Sequence, residues 1–402
     1  MPDVVVVGAG PAGLVIARLL QRAGVSFTVL ERKSRAELGA QPRAGLIEYR
    51  TVELLRKVGL ADTDLEFTTE NGRMEFRTPA GSMLLDYGLL TGRRPNYIYP
   101  QHLLVGRLYD ALAAEGADVQ FGQPAVAVRQ SRDRAVVSLA DGSEIECHAV
   151  VGAEGSHSVV APAITGARTS DELLPVRMLA VVAAAPPLEN HTIYAPHPRG
   201  FAGQMRRGPA QTRYYLEVPR TDAAREWPER RIREELSVRL DVGGELSDVR
   251  FDAPAFVDFR TKVLDPMQQG RLFVAGDAAH LITSAGGKGM NLAIQDAVEL
   301  AHGLIDRFGS FGDGRRLRAY TSTRLPAIWR TQAFSNWFLR VLMAGLRDGV
   351  EPAGAVPGGF MRGLGEGWVA ALRDDPLLAR WFAHAYAGVD PDAETVLGRS
   401  SG

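Results

Sequence analysis

The strongest constraint lies at the start of the chain. Val4 to Val7 form an unbroken apolar run of the kind buried on both faces of a parallel sheet, and GAGPAG follows without a spacer. Gly8, Gly10 and Gly13 thereby take the G-x-G-x-x-G spacing. The first glycine permits a tight turn, the second lets a diphosphate approach the backbone, and the third lets a helix pack close to the strand. The pattern predicts a helix from Ala12 to Ala23 that stops at Gly24, then a second strand in VSFTVLE ending on Glu31. A carboxylate about twenty residues beyond the glycines is placed to accept hydrogen bonds from an adenosine ribose. The whole unit commits this part of the chain to a nucleotide-binding α/β layer and by itself does not distinguish NAD from FAD.

A second glycine-rich stretch, AGDAAHLITSAGGKGMNLAIQDAVEL at residues 275 to 300, narrows the choice. A strand ends on Ala275 and breaks at Gly276-Asp277, and Gly286-Gly287-Lys288-Gly289 fall where a helix begins. Glycines there let backbone approach a ligand, and a helix start offers unpaired N–H groups to negative charge. Two anchoring segments so far apart suit FAD, which is long enough to be held at its adenosine end by one and at its ribityl and isoalloxazine end by the other.

Composition excludes several other classes. A chain of 402 residues with 46% hydrophobic content can bury a large core divided into two or three substructures. The formal net charge of −1, with arginines interleaved among acids, gives no basic footprint for nucleic acid or an anionic membrane. The single cysteine, Cys147, rules out an intrachain disulfide and a thiolate zinc cluster, which points to a reducing compartment. Neither a secretory leader pattern nor a run of about 18 apolar residues is visible, so a cytoplasmic protein is expected. No metal-ligand cluster, serine triad or acid/base carboxylate pair has support in the pattern.

Several separated motifs in order carry a resemblance: GAGPAG, PRAGLIEYRTVELLRKVGL, HPRGFA with TRYYLEVP, PMQQGRLFVAGDAAH and GGKGMNLAIQDA. Together they resemble the class A flavoprotein aromatic hydroxylases, within them the 4-hydroxybenzoate 3-monooxygenase group, from residue 3 to about 340 and again near Tyr386. The likeness implies an α/β fold with a Rossmann-like FAD-binding domain interleaved with a β-rich substrate domain, and a C-terminal helical region. The expected boundaries are 1–171 for the FAD-binding domain, with 72–98 joining the substrate sheet, 172–262 for the substrate domain, 263–345 for the return to the first, and 346–402 for the helical region. It also implies that Arg43 contacts the FAD diphosphate, that Gln101 lies beside the flavin chain, and that Asp277 binds the ribityl or diphosphate region. Lys288, Gly289, Met290 and Asn291 would present backbone N–H groups and a helix N-terminus to the N1–C2=O edge of the isoalloxazine, where reduced flavin carries negative charge.

Residues 194 to 219 read as antiparallel strands around the Gly208-Pro209 turn, flanked by Arg207 and Arg213. A guanidinium can hold a carboxylate through two parallel bonds. The resemblance implies that Arg213 contacts the substrate carboxylate and the mobile flavin, that Arg207 holds the carboxylate most directly, and that Tyr215 completes the pocket. Tyr194 would hydrogen-bond the substrate phenol, with Tyr386 as its relay partner. The implied reaction has two halves: NADH or NADPH reduces FAD, then O₂ adds to give a flavin C4a-hydroperoxide that is attacked by the ring of a small phenolic or aminoaromatic acid. Water must be excluded throughout.

The chain departs from the family's pattern at several places. Met205 stands where the family has a serine that helps hold the carboxylate, and Thr283-Ser284 and Ala285 replace Pro-Pro and threonine on the pocket wall. Glu70 or Asn71 falls near the place of the relay histidine, Glu154 stands for an aspartate, and Ala161 for an arginine. Arg32, Lys33, His157 and Arg260 remain as expected NAD(P)H contacts. Glu37 disfavours a 2′-phosphate while Lys33 and Arg35 favour it, so NADH and NADPH both stay open. Competing readings are a flavin oxidoreductase or halogenase of the same fold without ring hydroxylation, and a catalytically silent FAD-binding ligand sensor. The helix bearing Trp329, Phe334, Trp337 and Phe338 is expected to feed the core, the stretch EPAGAVPGGFMRGLGEG is expected to be a flexible connector, and a homodimer is expected by analogy.

Overall fold

The computed structural model describes residues 1–39, 45–60, 68–69, 72–343 and 359–389. The strand Val4–Val7 is completely enclosed at the middle of a mainly parallel sheet, with Phe27–Glu31 on one side and Ala149–Gly152 on the other. The sheet order is Gln268–Gln269, Leu272–Val274, Ala149–Gly152, Val4–Val7, Phe27–Glu31 and Val119–Phe121. Helix α1 (Pro11–Arg22) follows the first strand, opened by a proline whose fixed φ suits the first helical position and whose missing N–H costs nothing there. It ends as the spacing predicts, at Gly24, with φ at +69°.

Further helices cover this sheet or lead away from it: α2 (Tyr49–Lys57), α3 (Gln101–Ala114), α4 (Lys288–Phe308) and α5 (Tyr320–Leu342). Helix α4 is buried along most of its length and packs on α1, which brings the two glycine-rich segments to one end of the layer.

A second sheet runs in the order His280–Leu281, Ala255–Asp265, Arg168–Ala183, Gln211–Val218, Ala202–Gly208, Thr192–Ala195, Arg73–Thr78 and Gly81–Asp86. Thr192–Ala195 pairs in parallel with Arg73–Thr78, and the other neighbouring strands are antiparallel. Arg73–Asp86 therefore belongs to this sheet although it lies early in the chain. One face carries Tyr214 and Leu216 against the helix Glu229–Arg239. The other faces α5 and two C-terminal helices, α6 (Gly359–Asp374) and α7 (Pro376–Ala387).

The expected connector needs a correction. Residues 351–358 lie outside the described residues, but Gly359 to Gly367 form the first part of α6 rather than a loop. Glycine is used there for contact: a Cβ on Gly365 would lie 2.8 Å from the Val341 carbonyl oxygen of α5. Of the aromatic residues on α5, Phe334 and Phe338 are buried as expected, whereas Trp329 is 46% exposed.

One buried carboxylate ties the layers together. Asp296 on α4 accepts the Gly276 amide at 3.1 Å and the Arg324 Nε at 2.7 Å, and meets His280 Nε2 at 2.5 Å. Burial pushes its pKa up, but the charges and hydrogen bonds of His280 and Arg324 outweigh that and hold it below the usual carboxylate value. Replacing Asp296 by Ala strands a buried guanidinium and an imidazole, and should cost about 3–5 kcal/mol in equilibrium urea unfolding. The double change Asp296→Leu with Arg324→Met should cost clearly less; equal losses would show that the carboxylate is not the partner that matters.

Candidate functional site

The three glycines of the first motif are required for different reasons. Gly8 sits at φ +104°, and a Cβ there would meet the Ala153 carbonyl oxygen at 2.5 Å. At Gly13 a Cβ would fall 1.9 Å from the Gly8 carbonyl oxygen, so the helix can approach the strand only without a side chain. Gly10 is different, because the nearest chain atom to its Cβ would be 3.9 Å away. Nothing among the described residues demands glycine at Gly10. That position is also the N-cap of α1, with no side-chain cap and no acid in the first turn, so its N–H groups are left for an anion. Glu31 ends the second strand and accepts the Ala9 amide at 2.8 Å and the Lys33 amide at 2.9 Å. A carboxylate has lone pairs beyond these two, so it can also accept from ribose hydroxyls.

The second motif builds a matching surface. Gly276 has φ +60° and starts a short 3₁₀ turn that puts Asp277 at the surface beside it. Gly286 and Gly287 are both left-handed, at φ +75° and +65°, and Gly287 is the N-cap of α4. A Cβ on Gly287 would press on Leu46 at 2.9 Å, while one on Gly289 would meet only Ile282 at an ordinary 3.6 Å. The first turn of α4 again carries no acid. Asn291 does not direct its side chain outward: it accepts the Glu48 amide and donates to the Leu46 and Gly287 carbonyls, which holds α2's entry against the helix start. Open space at Gly10 and Gly289, with uncapped helix starts at both, fits a long dinucleotide such as FAD.

The Lys288 side chain makes a connection that the motif does not foretell. Its buried ammonium donates to Glu48 Oε1 at 2.5 Å and to the carbonyl oxygens of Ala385 and Tyr386 at 2.8 Å each. All three of its protons have acceptors, two of them at the end of α7. The C-cap of that helix, Gly388, sits at φ +66°, and a Cβ there would collide with the Glu48 carboxylate at 2.1 Å. Glu48 lies inside the PRAGLIEYRTVELLRKVGL motif, but neither that motif nor periodicity assigns it or Gly388 a partner.

Period-two alternation explains which of the residues around the Gly208-Pro209 turn share a face. Met205 pairs across strands with Arg213, and Gly203 with both Tyr194 and Tyr215, so these side-chain positions share one sheet face. Tyr194 and Tyr386 are buried with their hydroxyls 3.1 Å apart and their rings at 88°. Phe76, Phe338 and Phe382 surround the pair. The Arg213 guanidinium lies 5.4 Å over the Tyr215 ring, and its Nε is buried without a hydrogen-bond partner among the described residues. Burial, and then the neighbouring Arg213 charge, press the Arg207 pKa below its ordinary value. Two guanidiniums beside an aromatic wall make a site that gains from an anion. On the wall contributed by α4's approach loop, the Thr283 hydroxyl bonds the Ser335 hydroxyl at 2.6 Å, while Ser284 is exposed.

The remaining predicted residues are scattered more widely. Gln101 opens α3, and Met290 packs partly against the main core. Arg32 and His157 are exposed, and Lys33 is half-buried with its amide on Glu31. Arg260 is engaged by Asp171 on the adjacent strand, with Nε 2.7 Å from Oδ1. Arg43, Glu70 and Asn71 lie outside the described residues. Glu154 accepts from the Ser158 hydroxyl and the Val159 and Val160 amides, and burial pushes its carboxyl up.

Comparison with known proteins adds an independent line. A profile for the family described as FAD binding domain matches residues 1–335. The chain is 30% identical over 348 residues to p-hydroxybenzoate hydroxylase of Acinetobacter baylyi, covering 84% of this chain and 85% of the relative. Its fold matches p-nitrophenol 4-monooxygenase of Pseudomonas putida with a TM-score of 0.79 at 20% identity, over 96% of this chain and 98% of the other. It also matches a Diels-Alderase of pyrroindomycin biosynthesis with a TM-score of 0.78 at 22% identity, over 98% and 81% of the two chains. The fold alone thus hosts more than one chemistry, and the reaction must be argued from the site.

The glycines supply a direct test of what they face. Gly13→Ala should lower the thermal stability of the FAD-free protein, at a cost of about 1–3 kcal/mol from overpacking. Gly10→Ala should leave that stability nearly unchanged and weaken FAD binding in a fluorescence titration. An equal stability loss at both positions would mean that Gly10 answers to the protein and not to the cofactor.

Proposed function

The chain belongs to the FAD binding domain family, in which its relatives are FAD-dependent aromatic monooxygenases, and from that premise we propose that it hydroxylates a small phenolic or aminoaromatic acid. FAD is its cofactor and NAD(P)H its reductant, with O₂ as co-substrate. When bound, the flavin accepts hydride from the nicotinamide and activates oxygen. The rest of the task falls to the chain: to hold the acid in one orientation, to adjust the phenol's proton, and to keep water out.

The observation that carries this reading is the buried Tyr194–Tyr386 hydroxyl pair on the sheet face that also bears Arg213. A phenol placed with its hydroxyl at Tyr194 can release a proton toward Tyr386, and the ring gains electron density where oxygen is to be added. Arg213, with Nε lacking a hydrogen-bond partner among the described residues, would bind the carboxylate at the opposite end, aided by Arg207 and bordered by Tyr215. Met205 opposite Arg213 offers a thioether in place of a hydroxyl donor, so the carboxylate is held by charge more than by a hydroxyl. The aromatic shell of Phe76, Phe338 and Phe382 supplies the apolar enclosure.

The cofactor assignments are part of the same proposal. The amides at the start of α4 would stabilise negative charge on the reduced isoalloxazine, Asp277 would bind the ribityl or diphosphate region, and Gly10 would face the diphosphate. Arg32, Lys33, His157 and Arg260 are the candidate nicotinamide-cofactor contacts; Arg260 would have to exchange its bond to Asp171 for that role.

Two substitutions separate binding from chemistry. Arg213→Ala should raise the substrate KM by roughly 10²-fold, as expected for loss of a charge-assisted pair; an unchanged KM would sink the carboxylate assignment. Tyr194→Phe should slow ring hydroxylation by roughly 10²-fold or more while flavin reduction by NAD(P)H is affected far less. Equal slowing of both half-reactions in stopped flow would reject the relay.

A further inference from the structure

Far from the flavin end, the structure holds a basic cavity that the hydroxylase reading does not use. It measures about 370 Å³ and is lined by Arg132, Arg271, Arg307, Arg318 and His148, with no carboxylate among its lining residues. Phe273 and Phe308 also line it, and the rings of His148 and Phe308 lie 6.0 Å apart at 33°. Arg307 and Phe308 end α4, whose first turn faces the proposed flavin edge. Its 21 residues place the two ends about 30 Å apart at ~1.5 Å per residue.

The contrast with neighbouring arginines gives the cavity its meaning. Arg129 and Arg134, in the same hairpin as Arg132, are bonded to Glu144 and Glu146. Arg315 and Arg316, in the same short helix as Arg318, are bonded to Asp313 and Glu299. Among the described residues, the Arg132 and Arg318 side chains have no hydrogen bond or ion pair; Arg318 acts on Asp313 only at longer range. Arg271 is fixed by carbonyls alone, donating to Arg132 O and His148 O. Those bonds set the guanidinium's orientation and leave its charge without an acid.

A helix C-terminus attracts cations, and that accounts for Arg307 in the last turn of α4. It does not account for Arg132 and Arg271, which reach the cavity from other elements. Asp3, whose Oδ1 lies 3.3 Å from His148 Nδ1, accepts the Ser26 amide and hydroxyl, so this acid is engaged away from the guanidiniums.

We propose that this cavity is a second ligand site, built for a phosphate-bearing anion, in which Arg132, Arg271 and Arg318 bind the phosphate and the Phe308 and His148 rings border it. Guanidiniums suit phosphate because their planar forks match its oxygens, and an oriented arginine loses little entropy on binding. The site is too far from the flavin edge for its ligand to take part in the proposed hydroxylation.

The test uses FAD-saturated protein, so that the flavin site is filled, with inorganic pyrophosphate as the probe in isothermal titration calorimetry. Saturable binding is expected, and the double variant Arg132→Gln/Arg318→Gln should weaken it by about tenfold or more. Among the described residues neither side chain is bonded, so the variant should fold, retain FAD and oxidise NAD(P)H at the parental rate. The single variant Arg271→Met should weaken binding as well. No saturable binding at millimolar pyrophosphate overturns the proposal, and so does binding of undiminished strength in the double variant, which would locate the anion elsewhere.

Discussion

The Lys288 ammonium is the junction on which the arrangement depends. A lysine buried in a protein is costly unless each proton finds an acceptor, and here the three acceptors come from different parts of the chain: Glu48 at the entry to α2, and the Ala385 and Tyr386 carbonyls at the end of α7. The same residue is the first of α4, where the flavin edge is proposed to rest. One cation therefore locks together the first layer, the proposed cofactor helix and the helix that carries a tyrosine of the hydroxyl pair. Gly388 makes the fit possible, since any side chain there would occupy the space of the Glu48 carboxylate.

Beneath that junction, Asp296 plays the corresponding role for the GDAAH turn. It grips Gly276 and His280 from α4 and is balanced by Arg324 of α5. Both glycine-rich segments are thus mounted on elements that pack against each other, α1 and α4, and neither depends on a free loop for its position. The charge at each start is complementary to a bound diphosphate or reduced flavin because neither first turn contains an acid.

Much of this was legible from residues alone. The Val4–Val7 strand, the helix ending at Gly24 and the strand ending on Glu31 follow from local apolar patterning and glycine spacing, which depend on near neighbours in sequence. The antiparallel strands around Gly208-Pro209 follow from alternation, and alternation also puts Met205 and Arg213 on one face once they are paired. Local patterning misled at Gly359 to Gly367, where glycines suggested a connector and instead allow α6 to touch α5. The side-chain partner of Lys288 was out of reach for a similar reason: Glu48 lies 240 residues away, and the motif that contains it does not say what it meets.

By itself the sequence determined a nucleotide-binding βαβ unit and a second glycine-rich turn at a helix start, because each rests on spacing within a short segment, while the residues of an aromatic hydroxylase came with the family resemblance. Only the tertiary structure decided that Tyr194 and Tyr386 stand 3.1 Å apart, that the buried Arg213 Nε has no hydrogen-bond partner among the described residues, and that arginines from several elements gather around one cavity at the far end of α4. Those facts depend on which strands and helices pack together. Packing is settled by burial and by the acceptors available to each buried charge across the whole chain.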